Sequence, residues 1–136
     1  MTQVQKYLFW IIFFGLGIAY ISDFFLYWSA PVPWIDIPLH FLGGVWAALL
    51  FVPFFTRLFH RQTMENLWER ALIVVLIVSF AAFIGVLWEL QEFLVVKLFG
   101  FSLQPGIADT MGDLTMDMIG GLFMALLIMK PEKKLA

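Results

Sequence analysis

Polar positions are scarce along this chain and cluster in a regular way. Four long apolar runs stand out, each with one narrow polar stripe or a polar end. They cover roughly 7–28 (YLFWIIFFGLGIAYISDFFLYW), 36–56 (beginning DIPLHFLGGVW), 71–97 (beginning ALIVVLIVSF) and 110–129 (beginning TMGDLTMDMIGG). A membrane-spanning helix needs about 20 mostly apolar residues, and all four runs meet that length. Transmembrane β-strands would instead show alternating segments of about ten residues, and none occurs. Between the runs lie SAPVPW (29–34), the charged stretch 56–70 and the turn-rich stretch 98–108. The pattern predicts an all-α, polytopic membrane protein. Residues 1–136 form one membrane domain, a four-transmembrane-helix bundle. The first run is too long and aromatic for a cleaved signal peptide, so it is expected to be a retained helix.

Composition agrees. The 136 residues are 62% hydrophobic and 13% charged, whereas soluble domains average roughly 45–50% and about 25%. The net charge of −2 argues against a nucleic-acid partner. With no cysteine, thiolate chemistry and disulfides are excluded.

The eight basic residues give a topology. With four spans, Lys6, Arg57, Arg61, Arg70, Lys130, Lys133 and Lys134 fall on one side, and only Lys97 on the other. Basic residues concentrate on the cytoplasmic side, so both termini are expected there. Tyr27, Trp28 and Trp34 then mark the outer interface, and Tyr7, Trp10 and Trp68 the inner one.

That topology gathers the acids. Glu65, Glu69 and Glu132 fall in cytoplasmic segments. Asp23, Asp36, Glu89, Glu92, Asp109, Asp113 and Asp117 all fall in the outer half, together with His40. At about 100° per residue, Asp109, Asp113, Asp117 and Gly120 share one helix face. Gly85, Glu89 and Glu92 share another, Asp36, His40, Gly43 and Ala47 a third, and Tyr20, Asp23 and Tyr27 a fourth. The simplest packing turns all four stripes inward.

A carboxylate in hydrocarbon costs at least ~2.5–3.5 kcal/mol. Seven of them against Lys97 leave a large excess of negative charge. Divalent cations would neutralise it. His40, Glu89, Glu92, Asp113 and Asp117 are the expected ligands, with Asp23, Asp36 and Asp109 as possible additions. Oxygen donors suit Mg²⁺, Mn²⁺ or Ca²⁺, and one imidazole also admits Mn²⁺, Fe²⁺ or Zn²⁺. Carboxylate-rich metal sites within helix bundles have soluble precedents.

Three motifs carry a resemblance: D-x-x-x-H-F-x-G-G (Asp36 to Gly44), W-E-x-x-E-F (Trp88 to Phe93) and D-T-x-x-D-x-x-x-D-x-x-G-G (Asp109 to Gly121). Over residues 36–125 the chain resembles the YjdF-like family of small bacterial inner-membrane proteins. More distantly it is similar to VanZ-like proteins, which carry spaced aspartates followed by glycines, usually with asparagine near the place of Asp117. The resemblance implies a multi-pass protein of the cell inner membrane and supplies no reaction. The D-x-x-x-D stripe is also similar to that of CDP-alcohol phosphotransferases, but their D-G-x-x-A-R element is absent.

Plainer readings stand beside the ligand reading. Asp36 and Asp109 each open a helix, where Asp is a favoured N-cap. Asp23 could bond a loop, and His40 could be a packed core residue. The acids could form a protonated hydrogen-bonded network. Gly43-Gly44 and Gly120-Gly121 read as close-packing positions. Thr110 and Thr115 read as helix hydroxyls, because no G-x-S-x-G, Walker or H-E-x-x-H motif occurs.

Three functions follow. One is a metal-dependent hydrolase or transferase acting on a membrane lipid or lipid-linked substrate at the outer leaflet. Another is cation binding or transport. Against it, Ala71 to Phe83 and Gly121 to Met129 offer no polar step towards the cytoplasm, although a homo-oligomer could differ. The last is a structural protein held by a protonated carboxylate network.

Overall fold

The computed structural model describes residues 3–27, 35–58, 67–100 and 106–129, with side chains described over 3–18, 35–53, 67–100 and 106–129. Every described element is α-helical: α1 (Gln3–Tyr27), α2 (Asp36–Leu58), α3 (Leu67–Phe99) and α4 (Ile107–Ile128). Each matches one expected apolar run. The charged residues 59–66 and 130–136, the segment 28–34 and the side chains of Asp23 and Tyr27 lie outside the described set.

The helix ends shift for local reasons. α3 starts at Leu67 rather than 71, because Trp-Glu-Arg supports a helix and places Glu69 in the first turn, where the helix dipole favours an acid. Its 33 residues span about 50 Å at 1.5 Å each, more than the ~30 Å hydrocarbon core. α3 stops at Gly100, whose φ of 75° is a left-handed conformation that glycine adopts without steric cost. The Gly100 N–H donates to the Val96 carbonyl at 3.0 Å.

The alternative reading of Asp36 and Asp109 as N-caps meets a different arrangement at both helix starts. The Gly106 carbonyl accepts from the Asp109 and Thr110 N–H groups at 3.1 and 3.3 Å, which makes Gly106 the N-cap of α4. Likewise the Ile35 carbonyl accepts from the Leu39 N–H at 3.3 Å. Asp36 and Asp109 therefore lie inside the first turns rather than at the N-cap positions, and no side chain caps α4.

Three described helices are long and apolar enough to cross a membrane: α2 over Asp36–Pro53, α3 and α4. The described apolar stretch of α1, Gln3–Ile18, is shorter. Large apolar side chains such as Phe83, Leu87, Leu90 and Leu126 point outward, as a lipid-facing surface requires.

The packing is less even than four equivalent inward stripes. α4 packs chiefly on α2 and then on α3, and α2 also meets α3. Among the described residues, α1 approaches α2 alone; none of its Cα atoms comes within 8 Å of α3 or α4. Phe9 and Phe13 hold α1 by stacking on Trp46, with ring centroids 5.4 and 5.7 Å away. The core is thus a three-helix unit with α1 leaning on one side.

The buried stripes fall on the expected faces of these three helices. α3 buries Ile73, Ile77, Ala81, Gly85, Glu89 and Glu92, spaced four and finally three residues apart. α4 buries Asp113, Asp117, Gly120, Gly121, Met124 and Ala125. The apolar part, with Leu49, Ile77 and Ala125 at its centre, sits at one end. The polar part lies towards the start of α2, the end of α3 and the start of α4.

Glycines set the distances between helices. A Cβ on Gly44 would run into the Asp117 backbone carbonyl, and one on Gly120 into the Phe41 carbonyl. A Cβ on Gly121 would lie 2.6 Å from the Ala81 Cβ. The Gly44 and Gly120 pairs are backbone-on-backbone contacts that leave no room for a side chain.

Candidate functional site

His40 is the hub of the polar end. It is 5% exposed and projects from the second turn of α2 towards α3 and α4. Its Nδ1 lies 3.1 Å from Asp117 Oδ2. In the tautomer with the proton on Nδ1, the ring donates to that carboxylate, and Nε2 presents its lone pair. Nε2 makes no hydrogen bond. It faces Asp36 Oδ1 at 3.6 Å and Glu89 Oε1 at 3.9 Å.

Asp113 completes the group. One ligand atom each from Asp36, His40 and Asp113 lies within 4.8 Å of the others. Asp113 and Asp117 are each 4% exposed. The Asp36 side chain is 34% exposed, which leaves the group one wettable edge. Metal–oxygen and metal–nitrogen bonds near 2.1 Å put neighbouring donors roughly 3.0–3.4 Å apart. The 3.6 and 3.9 Å separations of Asp36 and Glu89 from Nε2 need a small contraction, and Asp113, within 4.8 Å, would close by up to about 1.5 Å.

Glu89 is held from the other side. The Thr110 hydroxyl donates to Glu89 Oε2 at 2.8 Å, which turns Oε1 towards His40. Thr110 therefore does more than satisfy its own helix. Thr115 does only that, donating to the Met111 carbonyl at 2.7 Å. Thr110→Val should loosen the Glu89 carboxylate and weaken any cation held there about tenfold or more. Thr115→Val should leave it unchanged. Equal Mn²⁺ titration curves for both variants would contradict this division.

Asp117 occupies a slot made by missing side chains. Gly43 on α2 and Gly85 on α3 flank its carboxylate. A Cβ on Gly43 would lie 3.3 Å from Asp117 Oδ1, and one on Gly85 would strike Oδ2. Asp117 lies ten residues beyond Ile107, about 15 Å along the helix axis, so this carboxylate reaches well into the bundle. Its role as a partner of Nδ1 was hidden in the sequence, where it read as a ligand among equals. Glycines on two facing helices were the available clue.

Neither Glu92 nor Asp109 contacts a ring nitrogen of His40. Glu92 is buried and accepts from the Trp88 indole N–H at 2.9 Å, so it is engaged on its own helix. Asp109 is half-buried in the first turn of α4. The position of the Asp23 carboxylate falls outside the described side chains. Lys97, the one basic residue on the acidic side of the expected topology, is exposed with Nζ 5.7 Å from the centre of the Phe93 ring. Of the eight candidate residues, the structure gathers Asp36, His40, Asp113 and Asp117, with Glu89 adjacent.

A cavity of about 430 Å³ adjoins the group. Its walls come from α1, α2 and α3 and are mostly apolar, and Asp36, His40 and Asp117 reach it at one side.

A family model described as a predicted membrane protein, DUF2238, matches residues 2–134. The match extends through α1, beyond the motifs of residues 36–125. No curated protein and no solved structure matches the chain significantly. The family description and the long apolar helices together make this a membrane protein with several candidate spans.

Proposed function

We propose that this chain, which belongs to that family of predicted membrane proteins, is built around a divalent-cation centre for hydrolysis or group transfer at the outer membrane face. His40 Nε2, Asp36 and Asp113 would hold the ion, Glu89 would supply a further oxygen, and Asp117 would orient the imidazole through Nδ1. The observation that carries this reading is the two-sided environment of His40. One ring nitrogen meets a buried carboxylate, and the other, without a hydrogen bond, faces two more. Histidine ligands characteristically have such a carboxylate partner on the second nitrogen.

A mixed oxygen and nitrogen set suits Mn²⁺, Fe²⁺ or Zn²⁺, and tolerates Mg²⁺. Such an ion would polarise a phosphoryl or carbonyl oxygen and acidify a bound water. Asp36, at the wetter edge, is the residue best placed to exchange protons with the outside. The apolar layer of Leu49, Ile77, Met124 and Ala125 argues for chemistry at one face rather than passage across the membrane. The likeness of residues 36–125 to YjdF-like proteins, kept here as part of the proposal, adds no reaction.

Metal analysis tests this reading. Protein purified in mild detergent and supplied with Mn²⁺ or Zn²⁺ should retain about one ion per chain. A monodisperse wild type that takes up neither ion would remove the metal centre. That result would favour a protonated carboxylate network.

The proposed orientation places both termini in the cytoplasm of a four-span, inner-membrane protein. Single cysteines at Gln62 and Gln104 should then react oppositely with an impermeant thiol reagent. Labelling of Gln62→Cys from outside intact cells would reverse the topology and turn the centre to the cytoplasm.

A further inference from the structure

The geometry points to a second component of this site: the cavity beside His40 binds the hydrocarbon chain of a membrane lipid whose phosphate head reaches the cation. The assignment of the head rests on the metal reading above. The assignment of the chain does not.

The cavity has the composition of a tail site. Phe13 and Gly17 of α1, Leu39 and Trp46 of α2, and Ile84 and Trp88 of α3 supply its walls. Its volume of about 430 Å³ falls in the range of small-ligand sites. It is also long. Asp36 and Trp46 both line it and are ten residues apart on one helix, about 15 Å along the axis. The acidic group reaches its wall through Asp36, His40 and Asp117. An amphiphile fits such a space better than a compact polar solute.

The source of the occupant follows from how α1 is attached. Among the described residues, α1 rests on α2 through Phe9, Phe13 and Trp46, and none of its Cα atoms comes within 8 Å of α3. The cavity lies between α1 and α3, two helices whose outward side chains, such as Phe14, Ile18, Val86 and Leu87, are apolar and would meet hydrocarbon. A lipid chain reaches it sideways without crossing water. Charge selects the head. With Asp36, Asp113, Asp117 and Glu89 at this end and Lys97 turned away, a bare anion is repelled. A bound divalent cation reverses this locally and draws a phosphate oxygen.

Gly17 offers a clean way to close the cavity. It lines the wall, and a Cβ there would meet nothing within 4 Å. Gly15, on the same helix, has equal room but does not line the cavity. The probe is hexadecyl phosphate bearing a diazirine near the end of its tail, applied to purified full-length protein with Mn²⁺ or with chelator. With Mn²⁺, photolabelling should map to cavity residues such as Phe13, Leu39 and Ile84. It should fall about tenfold or more in Gly17→Phe and persist in Gly15→Phe. Both variants should elute as monodisperse protein, and the mapping of wild-type adducts gives a readout independent of them. Chelator should reduce labelling. Cavity labelling that depends on Gly17 but ignores Mn²⁺ upholds the tail site and removes the cation-held head. Labelling spread over outward residues such as Phe83, Leu87 and Leu90, and indifferent to Gly17→Phe, overturns the proposal even if the protein binds Mn²⁺.

Discussion

His40→Ala is expected to lower affinity for Mn²⁺ or Zn²⁺ by more than about 100-fold, because it removes the sole imidazole of the group and leaves the buried Asp117 carboxylate without its partner. Asp113→Asn should act almost as strongly, since an amide oxygen is a neutral and weaker donor. Asp117→Asn should cost less, about 10–100-fold, as is typical for a residue that orients a ligand. The amide can present its NH₂ to Nδ1, which would move the imidazole proton to Nε2 and block ligation. Glu92→Gln should change little, since Glu92 pairs with Trp88 at 2.9 Å. The informative quantity is this order. If His40 and the four acids expected as ligands were equal, as the stripes alone suggest, Glu92→Gln and Asp117→Asn would match Asp113→Asn. Calorimetric titration of each variant in detergent measures it. An affinity unchanged in His40→Ala would sink the assignment of Nε2 as a ligand.

The second large effect is expected at glycines. Gly44→Ala and Gly120→Ala each place a methyl group against a backbone carbonyl, that of Asp117 or that of Phe41. A backbone atom inside a packed helix cannot swing aside as a long side chain can. α2 and α4 must therefore separate, at about 1–3 kcal/mol or more each. The separation also draws Asp117 from His40, so cation binding should fall with stability. Gly112→Ala is the opposite case. A Cβ there meets nothing within 4 Å, and alanine is favoured over glycine inside a helix by roughly 0.5–1 kcal/mol. It should hold or raise the thermal midpoint measured by fluorescence-detected size exclusion. Gly44→Ala and Gly120→Ala should lower it. Equal midpoints for all three would show that the close approach of α2 and α4 does not stabilise the protein.

Much of this was legible in the sequence because it depends on one helix at a time. Apolar runs of sufficient length predict the four helices. The 3.6-residue period assigns His40 to the inward face of α2, Glu89 and Glu92 to that of α3, and Asp113 and Asp117 to that of α4. Alternating chain direction brings these polar stretches to one end. Small residues below them foretell close packing, and Gly44, Gly120 and Gly121 do pack that way. Helix ends were less legible. Gly106 and Ile35 accept the first N–H donors of α4 and α2, where Asp109 and Asp36 carried the stronger capping signal.

Only the tertiary structure decided which carboxylate meets which nitrogen. Periodicity gives each side chain a direction about its own axis. It leaves the rotation and vertical offset between helices open, and a shift of one residue would exchange neighbours. Here those offsets are set by contacts far apart in the chain: Gly44 on the Asp117 backbone, Gly120 on Phe41, and Gly43 and Gly85 around the Asp117 carboxylate. They seat Asp117 on Nδ1, leave Nε2 to Asp36 and Glu89, and turn Glu92 to Trp88. The same holds for α1. Its apolar sequence suits any lipid-exposed position, and the tertiary contacts, among them the stacking of Phe9 and Phe13 on Trp46, place it against α2, with a cavity between it and α3.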